Sequence, residues 1–343
     1  MNLTVTRRKP ITVSSGAMIR TRYLNPSQSL PLVIEPAVDQ VDLFRWARES
    51  RDFVQAQLLQ HGAILFRGFP VSTVEQFHLL VQCIATEPME YKERSSPRSQ
   101  VGDNIYTSTD YPANESIFPH NEHSYSQTFP LKLFFWCDVP AQLGGETPLG
   151  DTRRIYHRIP AEVRNKFEKH GWMFVRNFNN GFGLPWQKVF QTEDKSTVEA
   201  YCQKSDIEWE WREGGRLRTR QVRPAVFQHP HSHETVWFNH ATFFHISTLK
   251  ESMSSALRSD YRDDELPNNT FYGDGSPIPD EVMTTLRNAY LHEMTAFPWE
   301  AGDVILLDNM LTAHAREPFS GPRRILVAMA EPCQASSAMK ASV

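Results

Sequence analysis

The chain has 343 residues and 40% apolar content, enough to bury a substantial core, which excludes a disordered or fibrous polymer. Its 36 basic and 40 acidic residues leave a formal charge of −4 with neither sign in a long block, so neither nucleic acid nor an anionic membrane is an expected partner. The start, MNLTVTRRKPITVSS, has no continuous apolar stretch and no run reaches the roughly 18 apolar residues of a membrane span, so a cytoplasmic location is expected.

The first ninety residues read as mixed α/β. LPLVIEP, residues 30–36, is a short apolar strand. It is followed by one amphipathic helix over residues 41–61, where Leu43, Phe44, Trp46, Ala47, Phe53, Val54, Leu58 and Leu59 recur at helical spacing and Gly62 ends the run. GAILFRGFP is a strand closed by Gly-Phe-Pro, and VSTVEQFHLLVQCIA is a second amphipathic helix whose apolar face covers a sheet.

From about Asn104 short strand-like runs alternate with loops: residues 131–139, 172–178, 234–240, 303–309 and 323–330. KSTVEAYCQKSD and IPDEVMTTLRNAYLHEM interrupt them as helices. Strands spread over two hundred residues without βαβ alternation predict an antiparallel double sheet of jelly-roll type with helices packed outside. With no repeat, long linker or low-complexity segment, residues 30–331 form one expected domain, preceded by an extension over 1–29 and followed by a tail over 332–343.

The chemistry begins at FPHNEHSY, residues 118–125. On an extended strand His120 and Glu122 share a face while Asn121 and His123 point the other way, so His-x-Glu is a two-ligand clamp, a pH-sensitive histidine pair or a polar strand rim. The four cysteines, Cys83, Cys137, Cys202 and Cys333, are scattered and match no zinc pattern, so they are expected to be reduced thiols and any metal to be held by nitrogen and oxygen. His314, just past an apolar strand and a short loop, can supply a third ligand. Two histidines and one carboxylate on one face leave open positions, the donor set of non-haem Fe(II) oxygenases, with zinc as the alternative from ligand types alone.

Five stretches in order then carry a resemblance: GAILFRGF, PHNEHSY, GGETPLGDTR, WEAGDVILLDN before AHAREPF, and GPRRILVAMA. Together they resemble the taurine dioxygenase family of Fe(II)/2-oxoglutarate oxygenases, from about Leu30 to Glu331. The resemblance implies a double-stranded β-helix of clavaminate synthase-like type with flanking helices, and Fe(II), 2-oxoglutarate and O2 as cofactor and co-substrates. It implies His120, Glu122 and His314 as iron ligands, Thr147 as a hydroxyl donor to the 2-oxoglutarate C5 carboxylate, and Arg323 or Arg324 as that carboxylate's charged partner. Adjacent residues face opposite sides of a strand, so only one arginine can serve, and the resemblance favours Arg323 because the family's arginine stands ahead of an apolar strand.

Family members that grip a small anion carry another arginine four residues further on, where this chain has Val327, or Ala328 if Arg324 is the anchor. WFNHATFFH and FYGDGSPI are similar to the syringomycin-type β-hydroxylases of natural-product pathways, which implies an amino-acid-derived substrate, free or tethered to a peptidyl carrier protein. Glu122 stands where related halogenases have Ala or Gly, so hydroxylation is expected rather than halogenation, with desaturation or cyclisation as alternatives. A metal-binding jelly-roll protein without oxygen chemistry is the reading from a different class. Asn239, Asn104 and Tyr106 are candidate substrate contacts, Trp209 and Trp211 either cover a site or line the core, and His229, His231 and His233 read as an exposed turn.

Overall fold

A computed structural model describes residues 18–25, 28–90, 98–179 and 183–337. The main sheet has eight strands, in the order Ile19–Asn25, Gln28–Pro36, Ala63–Phe66, Val304–Asp308, Thr128–Val139, Arg324–Gln334, Ile105–Thr107 and Gln100–Gly102. All neighbours are antiparallel except Gln28–Pro36 against Ala63–Phe66, a parallel pair that the expected all-antiparallel arrangement lacked. The sheet extends past both ends of the 30–331 span read from the sequence.

Period-two alternation separates the two faces of this sheet. Ile34, Phe66, Phe134, Trp136, Leu306 and Leu326 point outward into a cluster closed by the helical residues Leu43, Trp46, Leu58, Phe77, Leu80 and Ile84. The predicted helix over 41–61 is in fact two, Leu43–Glu49 and Arg51–His61, because Ser50 leaves helical dihedrals at φ −115° and ψ 25°. Gly62 caps the second at φ 76°, and a Cβ there would lie 2.5 Å from Thr312 Oγ1. Thr73 caps the next helix, Val74–Ile84, by accepting from the Gln76 amide.

The other face carries Leu133, Phe135, Cys137, Ile305, Leu307, Ile325 and Val327. Opposite it lies a smaller antiparallel sheet of Ile117–His120, Thr312–Arg316 and Leu149–Asp151, and the Phe135 ring sits 5.0 Å from that of His314 across the gap. Two sheets facing each other with helices outside form the expected double-stranded β-helix. A further sheet, Glu208–Arg212, Arg216–Arg223, Trp172–Phe178 and Asn268–Tyr272, builds its own aromatic core with Trp237 and Phe167. Both predicted insertions are helical, Lys195–Lys204 and Asp280–Glu293. Among the described residues no helix is long and apolar enough to cross a membrane, and the four cysteines are buried thiols.

Candidate active site

His120, Glu122 and His314 converge between the two sheets, each offering one ligand atom, with all three atoms within 4.8 Å of one another. His120 and His314 are paired residues on neighbouring strands, and their rings lie 4.4 Å apart. Glu122 arrives by a different route from the one expected. The strand ends at His120, and residues 121–126 form a turn with His123 in the left-handed region at φ 57°. A turn, rather than strand alternation, brings the carboxylate round to the histidines.

That turn is fastened from the loop preceding His314. The Asn309 side chain accepts from the Glu122 amide at 2.8 Å and donates to the Glu122 carbonyl at 2.8 Å. Asn121 Nδ2 donates to the carbonyls of Asn309 and Thr312. Asp308 holds the same loop by accepting from the amides of Met310 and Leu311, and its other oxygen lies 3.0 Å from His229 Nε2. His229 is therefore buried and structural, contrary to the exposed turn expected for residues 229–233, although His231 and His233 are exposed.

The donor set fits a divalent transition metal. His120 Nδ1 donates to the Phe118 carbonyl at 2.8 Å, which leaves Nε2 with a lone pair for an ion. Burial lowers the pKa of both His120 and His314, so the imidazoles are neutral, as ligation requires. Burial alone would raise Glu122, but Arg98 foremost, then His123, His120 and His314, hold its carboxyl well below the usual range. Arg98 Nη2 lies 2.6 Å from Glu122 Oε2, with both side chains 4% exposed. No spacing or periodicity in the sequence marks this arginine.

Beyond His314 the space between the sheets continues to Thr147 and Arg323. The Thr147 oxygen accepts from Trp299 Nε1 at 3.2 Å, leaving its hydroxyl hydrogen to donate. Arg323 points inward with Ile325 and Val327, its Nε donating to the Gly145 carbonyl at 2.9 Å. Burial, reinforced by Arg316 and only partly offset by Cys137 and Glu146, lowers the guanidinium to about 10, and Arg323 makes no ion pair among the described residues. Arg324, the other candidate, faces outward and pairs with Asp138 at 2.6 Å, so it is excluded from the cavity.

A second cavity of about 320 Å³ opens on His120 and Glu122 from the other side. Phe118, Phe243, Phe244, His240 and His245 contribute to its wall. The expected substrate contacts are elsewhere. Asn239 is consumed by the Ala225 carbonyl and the Ala241 amide, Tyr106 is part of the core between the sheets, and Asn104 borders a separate depression beside His78. Trp211 packs on Trp186, and Trp209 is partly exposed. The sequence does not single out His240 there: the strand-like run expected over residues 234–240 is a strand only over Thr235–Trp237, and His240 is the N-cap of a short helix, Ala241–Phe244.

The profile of the Taurine catabolism dioxygenase TauD, TfdA family matches residues 23–329. The chain is 41% identical over 280 residues to the dapdiamide synthesis protein DdaC of Enterobacter agglomerans, covering 82% of this chain and 85% of that protein. In fold it is similar to PvcB of Pseudomonas aeruginosa (TM-score 0.54, 15% identity, 97% and 96% of the two chains), described as an Fe, alpha-ketoglutarate dependent oxygenase from an isonitrile synthetic pathway. A taurine dioxygenase from Burkholderia xenovorans is comparably similar, with TM-score 0.54, 16% identity and 95% and 96% coverage.

Proposed function

The chain belongs to the TauD/TfdA family and is an iron(II)- and 2-oxoglutarate-dependent dioxygenase, and from that premise we propose that it oxidises a C–H bond, by hydroxylation, in an amino-acid-derived substrate of natural-product biosynthesis. The observation that carries this reading is the position of His120, Glu122 and His314 between two cavities, one ending at Thr147 and Arg323 and the other walled by aromatic residues. The substrate class is supported by the likeness to DdaC, and a carrier-tethered form of the substrate is part of the proposal. The protein acts in the cytoplasm on this reading, which fits its buried thiols.

His120, Glu122 and His314 hold the iron. Bound there, iron(II) would supply the activation of O2, one oxygen atom going to succinate as 2-oxoglutarate loses CO2 and the other to the substrate. The protein's own part is positional. Phe118 orients His120, Asn309 orients the turn carrying Glu122, and Arg323 with the Thr147 hydroxyl holds the distal carboxylate of 2-oxoglutarate. Phe118, Phe243 and Phe244 keep water from the carbon to be oxidised.

Anaerobic addition of Fe(II) and 2-oxoglutarate is the test of the iron site: a weak visible charge-transfer band is expected, and folded protein that lacks it refutes the assignment. Glu122→Ala and His314→Ala should each abolish succinate formation. For the substrate, a gain of one oxygen by mass spectrometry is expected with amino acids, free or loaded on a carrier protein. Turnover confined to sulfonates or aryloxyacids overturns that part.

A further inference from the structure

His245 lines the aromatic cavity and is 4% exposed. Its Nδ1 lies 3.2 Å from the Ser247 backbone N–H, a group that can only donate, and 2.7 Å from Ser247 Oγ. Ser247 Oγ in turn accepts from Arg287 Nη1 at 2.9 Å, which directs its hydroxyl hydrogen toward Nδ1. With Nδ1 accepting, a neutral ring must carry its proton on Nε2. Burial, aided by Arg258 and Arg287 against Asp280, lowers this histidine to about 4, so the ring is neutral near pH 7. Nε2 makes no hydrogen bond to a described residue and is not among the polar atoms sealed away from space, so it opens on the cavity that its ring lines.

The charges of the same wall limit what this donor can meet. Among the described residues of the lining, Glu122 is balanced by Arg98, which it engages at 2.6 Å, and Asp110 adds a further carboxylate. A free carboxylate entering here meets Asp110 and no unengaged cation among the described residues of the lining, whereas a neutral carbonyl oxygen needs only a neutral N–H. We propose that His245 is a substrate-binding residue whose Nε2–H donates to the carbonyl oxygen of a masked carboxyl group, an amide, ester or thioester. The proposal deepens the assignment of this cavity to the substrate and rests on it.

His245 is also the N-cap of the short helical turn Ile246–Thr248, and that duty alone would account for Nδ1. Two variants separate the duties. His245→Asn keeps a capping group near Nδ1 and loses the reach of Nε2, whereas His245→Gln places an amide donor near Nε2 and gives up the cap. The charge-transfer band of the anaerobic Fe(II)–2-oxoglutarate complex reports substrate entry. The probes are the common amino acids, each as the free acid, the primary amide and the N-acetylcysteamine thioester.

In the wild type, masked forms should perturb the band at lower concentration than the matching free acids. The half-saturating concentration should rise roughly tenfold in His245→Asn, the cost of one lost hydrogen bond, and stay within about threefold in His245→Gln. Formation of the band in each variant shows that the iron and 2-oxoglutarate sites have folded. Free acids acting at equal or lower concentration, a panel with no active member, or His245→Gln binding as weakly as His245→Asn overturns the proposal while leaving the oxygenase intact. Absence of the band in the wild type refutes the oxygenase reading itself and takes this proposal with it.

Discussion

Asn309 brackets the backbone of Glu122, accepting from its N–H and donating to its C=O at 2.8 Å each, across 187 residues of chain. The side-chain amide does for the turn that carries Glu122 what a neighbouring strand does for a ladder residue. Its second donor contact, to the Pro130 carbonyl at 2.9 Å, ties the pair to the start of the long central strand.

Asn309→Ala should therefore weaken iron binding. Alanine leaves two buried backbone groups of Glu122 unpaired, each costing about 1–3 kcal/mol, and releases the turn that aims the carboxylate. A 10–100-fold loss of Fe(II) or Mn(II) affinity is expected, the usual range for partners that orient ligands. Isothermal titration with Mn(II) measures it, and unchanged affinity would show that the turn holds itself.

Arg323 and Arg324 should separate cleanly. Arg323→Leu removes the half-buried cation beside Thr147, and loss of one partner of a pair desolvated by the bound co-substrate costs on the order of 3–5 kcal/mol. The 2-oxoglutarate requirement should rise by about a hundredfold or more. Arg324→Leu breaks a partly exposed pair with Asp138, so its effect should stay within about twofold. Equal small changes in a 2-oxoglutarate titration would place the carboxylate elsewhere.

Arg98→Leu should destabilise the metal-free protein more than the metal-loaded one. Without the guanidinium, Glu122 is a buried carboxylate facing neutral imidazoles, a defect worth roughly 3–5 kcal/mol. A divalent ion restores positive charge at the same carboxylate. The gap in Tm between wild type and variant should narrow when Mn(II) is added, and a gap independent of Mn(II) contradicts this account.

Stability of the metal-free protein should fall as the pH drops from about 6.5 toward 4. His123 and His245 are each lowered to about 4 by burial, so across this interval the unfolded chain binds protons that the folded one does not. Their contribution is complete above the unfolded histidine value and is lost as pH falls through the folded one. Glu122, also lowered, adds a loss of the same sign at the acid end. Thermal unfolding at pH 7, 6 and 5 checks this, and a flat or rising Tm toward pH 5 rules out neutral buried imidazoles.

Much of the molecule is legible in one dimension. Short, nearly continuous apolar runs in residues 131–139 and 303–309 reveal strands buried on both faces, and the amphipathic run at residues 74–84 reveals a covering helix, because period and burial are local consequences of backbone geometry. The ordered motifs around His120, Glu122, Thr147 and His314 point to the iron chemistry for the same reason that family membership does: the donor atoms must be present whatever the surroundings. Alternation states that Arg323 and Arg324 differ in face, but which of them points inward depends on the opposite sheet and on the register shift between Arg324 and Ile325. Arg98 and Asn309 reach Glu122 from 24 and 187 residues away, and His245 meets the iron site only across a cavity, so contacts of this kind exist nowhere but in the packed structure. The turn after His120 shows the limit most directly: local pattern read an extended strand there, and the hydrogen bonds from Asn309 and Asn121, available only after the sheets have closed, support a turn instead.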